Sequence, residues 1–160
     1  MKIEYQPIGI IHSPYKTPQG VPLQPTGGEG IQAVVEVFPK YVEGLADLEG
    51  FSHIFLLYHF HLAGKFSLRL KPFLDDQYHG VFATRAPARP NPIGLSIVRL
   101  MRLENDKLYV QDTDIVDQTP LLDIKPYIPE FDVQYATRLG WLEGKLKKLK
   151  EARADERFSK

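Results

Sequence analysis

Through most of the chain the apolar positions recur every second residue, which is the period of a half-buried strand. Ile3 to Ile11 predicts a first strand, ended by Ser13-Pro14-Tyr15, and Ile31 to Phe38 predicts a second, ended by Pro39. Between them, Lys16 to Gly30 shifts to Pro, Gly, Gln and Thr, a long loop without a core pattern. Tyr41 to Leu48 places Val42, Leu45 and Leu48 three apart, the spacing of one or two helical turns, and Gly50 closes it. Phe51 to Leu62 is the most apolar stretch and predicts a buried central strand, with Phe51, His53, Phe55, Leu57, His59 and His61 on one face. Ala63 to Gln77 is a polar connection. Gly80 to Thr84 opens like a strand, Leu95 to Leu103 predicts another, and Lys107 to Val110 pairs back on it through an Asn105-Asp106 turn. From Asp132, a good N-cap, Val133, Ala136, Leu139, Leu142, Leu146 and Leu149 recur at three or four residues and predict an amphipathic helix, interrupted at Gly140 and Gly144.

About six or seven short strands and one C-terminal helix, without strand-helix alternation or a G-x-G-x-x-G, argue against a doubly wound nucleotide-binding sheet. The expectation is a mainly β, single-domain antiparallel barrel or highly curved sheet over residues 1–131, with 132–160 as its helix and tail. The 160 residues suit one domain with a real core, and 20 Lys plus Arg against 20 Asp plus Glu leave no net charge. Any nucleic-acid contact therefore needs local clustering. Residues 143–160 carry seven Lys or Arg against four Asp or Glu, an excess that a solvated tail explains equally well. The absence of cysteine removes disulfides, thiolate metal sites and thiol nucleophiles, and fits a reducing interior. The longest apolar run, Ile54 to Tyr58, is too short to cross a bilayer, so a soluble cytoplasmic protein without a membrane partner is expected.

The chemistry concentrates in two proline-rich segments. Arg85 to Pro92 holds Arg85, Arg89 and Asn91 among Pro87, Pro90 and Pro92, so its backbone is stiff and extended without a hydrogen-bond ladder. That density of preset backbone favours a loop that holds a charged or planar ligand over one whose arginines are merely solvated. In the second segment, an extended Thr119 to Tyr127 projects Asp123, Lys125 and Tyr127 to one side. Spacing leaves two readings of Asp123 and Lys125: an ion pair across one face, or a group held in a fixed protonation state for catalysis. The three histidines of the apolar strand invite a metal reading, but their large apolar companions favour satisfied core or pocket histidines. His61, at the strand end, is the one placed to reach a cavity. No nucleophile elbow and no P-loop is present.

Gly80-Val81-Phe82-Ala83-Thr84-Arg85, Arg89-Pro90-Asn91-Pro92-Ile93-Gly94 and Asp117-x-Thr119-Pro120-x-x-Asp123-Ile124-Lys125-Pro126-Tyr127 resemble the signature of the TrmO family, also called TsaA-like or YaeB-like. Ile8-Gly9-x-Ile11-x-Ser13-Pro14-Tyr15 and Gly50-Phe51-Ser52-His53-Ile54 match as well, so the resemblance runs from about Ile8 to Pro129. It implies a β-barrel S-adenosylmethionine-dependent methyltransferase acting on N6-threonylcarbamoyladenosine beside the anticodon of tRNA, as a homodimer with no metal. The alternatives are a non-catalytic cofactor-binding module, an RNA-binding scaffold whose arginines grip phosphates only, and a methyltransferase for another acceptor. The resemblance places cofactor contacts at Gln24, Pro25, His61, Leu62, Arg85, Leu95, Gln111, Asp112, Thr113 and Asp114, and substrate contacts at Arg89 and Asn91. Under that chemistry Asp117 and Asp123 are candidates for base or orienter, with Lys125 and Tyr127 steadying them or binding the substrate carbonyl. Where the family pattern has Gly after the first Asp of the last motif, this chain has Gln118, at a turn that a Gly would take to positive φ.

Overall fold

The computed structural model describes residues 1–148 and 151–159. Its centre is the apolar stretch, which forms strand β3, His53–His59. On either side of it lie β6, Ile93–Glu104, and β8, Thr119–Pro126, both antiparallel to it. The remaining barrel strands are β1, Gly9–His12, β2, Gln32–Val37, and β7, Lys107–Gln111. They close in the order β1-β2-β7-β6-β3-β8, with β8 pairing back onto β1. Closure leaves no free sheet edge. The expected antiparallel barrel is what forms. The β6-β7 hairpin turns at Asn105, where φ is 55°. Register shifts interrupt β6-β7 between Leu100 and Arg102 and β3-β8 between Leu57 and Tyr58, sharpening the curvature that a small barrel needs.

The barrel interior is filled by alternate residues of each strand, among them Ile11, Val35, Ile54, Leu56, Val98, Leu108 and Leu121, all fully buried. In β3 the inward set is Ile54, Leu56 and Tyr58, so the face carrying His53, Phe55, Leu57 and His59 is the outer one. Both faces of that strand are apolar, and alternation alone does not say which turns inward.

Two expectations fail locally. Val81–Ala83 is a 3-10 turn rather than strand, because the chain leaves a two-stranded ribbon of β4, Arg69–Leu70, and β5, His79–Gly80, and must turn at once into the proline segment. The first strand begins only at Gly9, since the residues before Ile8 are exposed and cover nothing. The largest correction is C-terminal. The amphipathic helix expected from an Asp132 N-cap does not form: the single turn α1, Pro129–Asp132, ends at that residue, and 3-10 turns follow at Gly140–Leu142, Leu146–Lys148 and Glu156–Phe158; Leu149 of the predicted stripe lies outside the described residues. Gly140 and Gly144 sit at φ 58° and 76°, which an α-helix does not permit. Val133, Leu139 and Leu146 of that stripe stay exposed, and it is Phe158, outside it, that packs on the small cluster of Leu70, Val81 and Ala86. Among the described residues, no helix is long and apolar enough to cross a membrane.

Candidate active site

One end of the barrel, where β3 and β6 meet the proline segment, opens into a cavity of about 990 Å³. Its polar lining includes Gln24, His61, Arg85, Arg89, Asn91 and Asp114, and much of the rest is apolar or aromatic, including Phe60, Leu62, Phe73 and Phe82. The volume lies at the upper end of the usual range for small-molecule sites, enough for a nucleoside cofactor and part of an acceptor.

The proline segment carries no strand, as expected, but it bends through residues 87–91 instead of running extended, and it borders the cavity. The Arg85 guanidinium Nη1 donates to Gln24 Oε1 at 2.8 Å, joining the long first loop to the proline segment across the cavity. Arg89 folds back on its own segment, donating from Nη1 to the Thr84 carbonyl at 3.1 Å, and so braces the loop it belongs to. His61 does reach the cavity, where its Nδ1 lies 3.4 Å from Thr119 Oγ1. Thr113 anchors the first loop from below. It is fully buried with no protein partner for its hydroxyl, and its carbonyl lies so close to Gly28 that a Cβ there would come within 2.1 Å.

At the floor stands a chain of buried polar groups. Ser96 Oγ donates to Asp114 Oδ1 at 2.6 Å, and the Tyr58 hydroxyl lies 3.0 Å from Ser96 Oγ. With the Ser96 proton committed to the carboxylate, Tyr58 donates to Ser96. Burial pushes the Asp114 carboxyl up to about 6, against the Ser96 hydrogen bond and the more distant pull of Arg85. Burial, reinforced by the Asp114 charge, raises the Tyr58 phenol well above its ordinary value. Gly94 lets this chain exist: a Cβ there would stand 2.2 Å from the Tyr58 ring. The resemblance placed Asp114 among cofactor contacts, but Tyr58 and Ser96 were not anticipated. Their signal is in the sequence, since Ser96 occupies an inward position of β6 between Gly94 and Val98, where a polar side chain needs a partner.

The other site candidates separate. Leu62, Leu95, Arg89 and Asn91 line the cavity, and Pro25 opens the 3-10 turn Pro25–Gly27 beside it. Gln111 is a barrel-strand residue opposite Gln32 and Arg99, and Asp112, at φ 69°, caps the Gly30 amide at 2.8 Å. Asp117 faces a second hollow of about 380 Å³, where Lys16 Nζ, at 2.7 Å, and the Ser13 amide hold its carboxyl below the ordinary value. Gln118 takes φ 61° as a glycine would, and its amide reaches His12 Nδ1 at 3.0 Å. Asp123 and Lys125 form an ion pair of 2.8 Å on the outer face of β8, beside Leu57 and Phe55. Tyr127 stands edge-on to Phe55 with centroids 5.5 Å apart. Asp123, Lys125 and Tyr127 do not line the cavity. Among the described residues no three His, Cys, Asp or Glu side chains gather as a metal site requires.

A closed antiparallel barrel whose end cavity is roofed by an Arg-Pro segment and floored by a buried carboxylate defines a β-barrel class distinct from doubly wound nucleotide-binding folds. The chain belongs to the tRNA-methyltransferase O N-terminal domain family, whose profile matches residues 10–133. It is 56% identical over 158 residues to a probable S-adenosyl-L-methionine-binding protein of Pyrococcus abyssi, covering 99% of this chain and 86% of that one. It is 37% identical to the human tRNA (adenine(37)-N6)-methyltransferase over 79% of this chain but 30% of that protein. The crystal structure of TrmO from Pseudomonas aeruginosa superposes with a TM-score of 0.74 at 38% identity, covering 88% of this chain and 63% of that one.

Proposed function

We propose that the protein is an S-adenosylmethionine-dependent tRNA methyltransferase acting on N6 of N6-threonylcarbamoyladenosine beside the anticodon, and that it works as a homodimer. The observation that carries this reading is the juxtaposition, in one cavity, of Arg85, the buried Asp114 and apolar walls, in a chain of this family. The donor set fits the cofactor: a guanidinium suits its carboxylate, and apolar walls suit its adenine. When bound, the cofactor supplies an electrophilic methyl group.

The remaining work falls to the chain. The acceptor nitrogen is acylated, so its lone pair is delocalised, and its methylation releases a proton. Asp114, held by Ser96, is the carboxylate placed to take that proton, and its raised pKa brings its basicity closer to neutral pH. Arg89 and Asn91 at the rim meet the nucleotide, with the guanidinium suited to phosphate.

The homodimer rests on the outer face of β3 and β6. Ile93, Leu95 and Ile97 are 40%, 58% and 37% exposed and lie opposite His59, Leu57 and Phe55. This apolar row continues into the cavity rim through Ile93 and Leu95. Pairing two such faces buries the row and carries Asp123, Lys125 and Tyr127 toward the partner's cavity. In that arrangement they serve the reaction from the other subunit.

A second reading, a cofactor-binding module without chemistry, is favoured by the name of the Pyrococcus abyssi relative, which mentions binding alone. A labelled-methyl assay on total tRNA, with and without the threonylcarbamoyl group, separates them. Transfer only to the modified tRNA is expected. Cofactor binding with no transfer to any tRNA would leave the binding module standing.

A further inference from the structure

We propose that the C-terminal segment beyond the family region completes the cofactor cavity, with Trp141 and Leu142 as ligand-contact residues. The inference rests on the cavity being the cofactor site. The family match ends at residue 133, yet Trp141, Leu142, Leu146, Phe158 and Ser159 line the same cavity as Gln24, His61 and Arg85. The wall they add is largely aromatic and aliphatic. It suits the adenine end of the cofactor, whereas Arg85 suits the carboxylate of its amino-acid end.

The segment is stitched to the domain on both sides of the opening. Arg153 bridges Pro22 and Ser159 bridges Ala63 in short antiparallel contacts. The Gly20 amide donates to the Ala154 carbonyl and the Ala154 amide to the Val21 carbonyl, each at 2.8 Å. Next to the first loop, this fixes the strap to the same stretch of chain that carries Gln24. On the ribbon side, Trp141 Nε1 donates to the Ala83 carbonyl at 2.7 Å, and its ring stacks on His79 with centroids 4.8 Å apart and planes 23° apart. His79 and Lys145 both hold the Asp75 carboxylate, His79 at 3.1 Å. Phe158 meets Phe73 edge-on at 5.1 Å, and Arg157 Nη1 donates to the Pro72 carbonyl at 3.2 Å. A solvated tail would make none of these contacts. Two backbone bridges, a stacked indole and a shared carboxylate hold the described parts of this strap in place, with Trp141, Leu142, Leu146 and Phe158 lining the cavity.

Trp141 is the only tryptophan of the chain, so its fluorescence reports on this wall alone. The probe is S-adenosylhomocysteine, titrated into the full-length protein by calorimetry and by tryptophan emission. The expected result is an emission change with the calorimetric midpoint, and affinity weakened roughly 10-fold or more in Trp141→Ala. Trp141→Phe, which keeps a ring but loses the bond to Ala83, is expected to lose less. Lys145→Ala, which removes a latch contact outside the cavity lining, is expected to weaken binding roughly 3-fold by loosening the wall. If the wild type binds the probe while Trp141→Ala binds it equally well, or while the emission stays constant, the role of the strap is overturned and the cavity reading stands. If the wild type does not bind the probe at all, both fall together.

Discussion

Asp114 and Asp123 lie nine residues apart in one motif-bearing stretch, and the barrel gives them opposite surroundings. Asp114 stands at the cavity floor with burial pushing it up to about 6 and a serine hydroxyl as its hydrogen-bond donor. Asp123 sits on the outer face, 44% exposed, with a lysine ammonium at 2.8 Å. A carboxylate held by a neutral hydroxyl in a desolvated site is closer to accepting a proton at neutral pH. On the proposed function, the difference favours Asp114 as the proton acceptor and leaves Asp123 on the outer surface.

The largest effect expected from breaking this contrast is on turnover. Asp114→Asn keeps an oxygen to accept from Ser96 but removes the base, and it should lower kcat about 100- to 10,000-fold. In the wild type, kcat/KM should rise with pH through an inflection near 6, because in the free protein Asp114 has to be ionised to take the proton. Retained turnover in Asp114→Asn, or a rate independent of pH between 5 and 7, on the order of one unit either side of that inflection, would remove Asp114 from the chemistry.

Stability should move the opposite way. Folding raises the Asp114 pKa from 3.8 to about 6, so the folded state binds the proton more tightly than the unfolded chain. The favourable contribution is therefore complete below the unfolded value and is lost as pH rises through the folded one. The shift corresponds to a loss on the order of 3 kcal/mol across that window. Denaturant midpoints measured from pH 4 to 7 should fall less in Asp114→Asn than in the wild type, and at pH 7 the variant should be the more stable protein.

Gly94→Ala tests the floor from beneath. A methyl group 2.2 Å from the Tyr58 ring has no room, because the ring is boxed in by Phe60, centroids 5.3 Å apart, and tied to Ser96. The expected cost is about 1–3 kcal/mol of stability, with turnover lost in parallel as the Ser96 contact shifts. The same substitution at Gly80, which meets open space, should be nearly silent.

The barrel was legible because its signal is local. Alternation in Gln32–Val37, Ile93–Glu104 and Lys107–Gln111 follows from one buried face per strand, and the Asn105 turn joins the last two. The stiffness of the proline segment was legible for the same reason. What the sequence hid were relations between distant residues. Asp114 meets Ser96 across two strands, and nothing in their spacing says so. Leu139, Leu142 and Leu146 carry the three-and-four spacing of a helix, but Gly140 and Gly144 break the helical backbone, and Leu142 and Leu146 line the cavity. Asp123, Lys125 and Tyr127 do share one side of β8, as period two requires. Only the closed barrel shows that this side faces outward.

That outward side gives the finest test of the comparison. Asp123→Asn should change the stability of the protein by less than about 1 kcal/mol, since an exposed ion pair contributes little. If the face works only within one subunit, turnover should be equally unaffected. If two copies pair through Leu95 and Leu57, Asp123 reaches the partner's cavity and its loss lowers turnover while cofactor affinity holds. Mixing inactive Asp114→Asn with inactive Asp123→Asn then distinguishes the two. Each hybrid dimer carries one cavity with both carboxylates intact, so random re-pairing should restore roughly a quarter of wild-type activity. A mixture as inactive as its components, with subunit exchange verified, would place both carboxylates in the service of the same subunit's cavity and overturn the reach of Asp123 into a partner's.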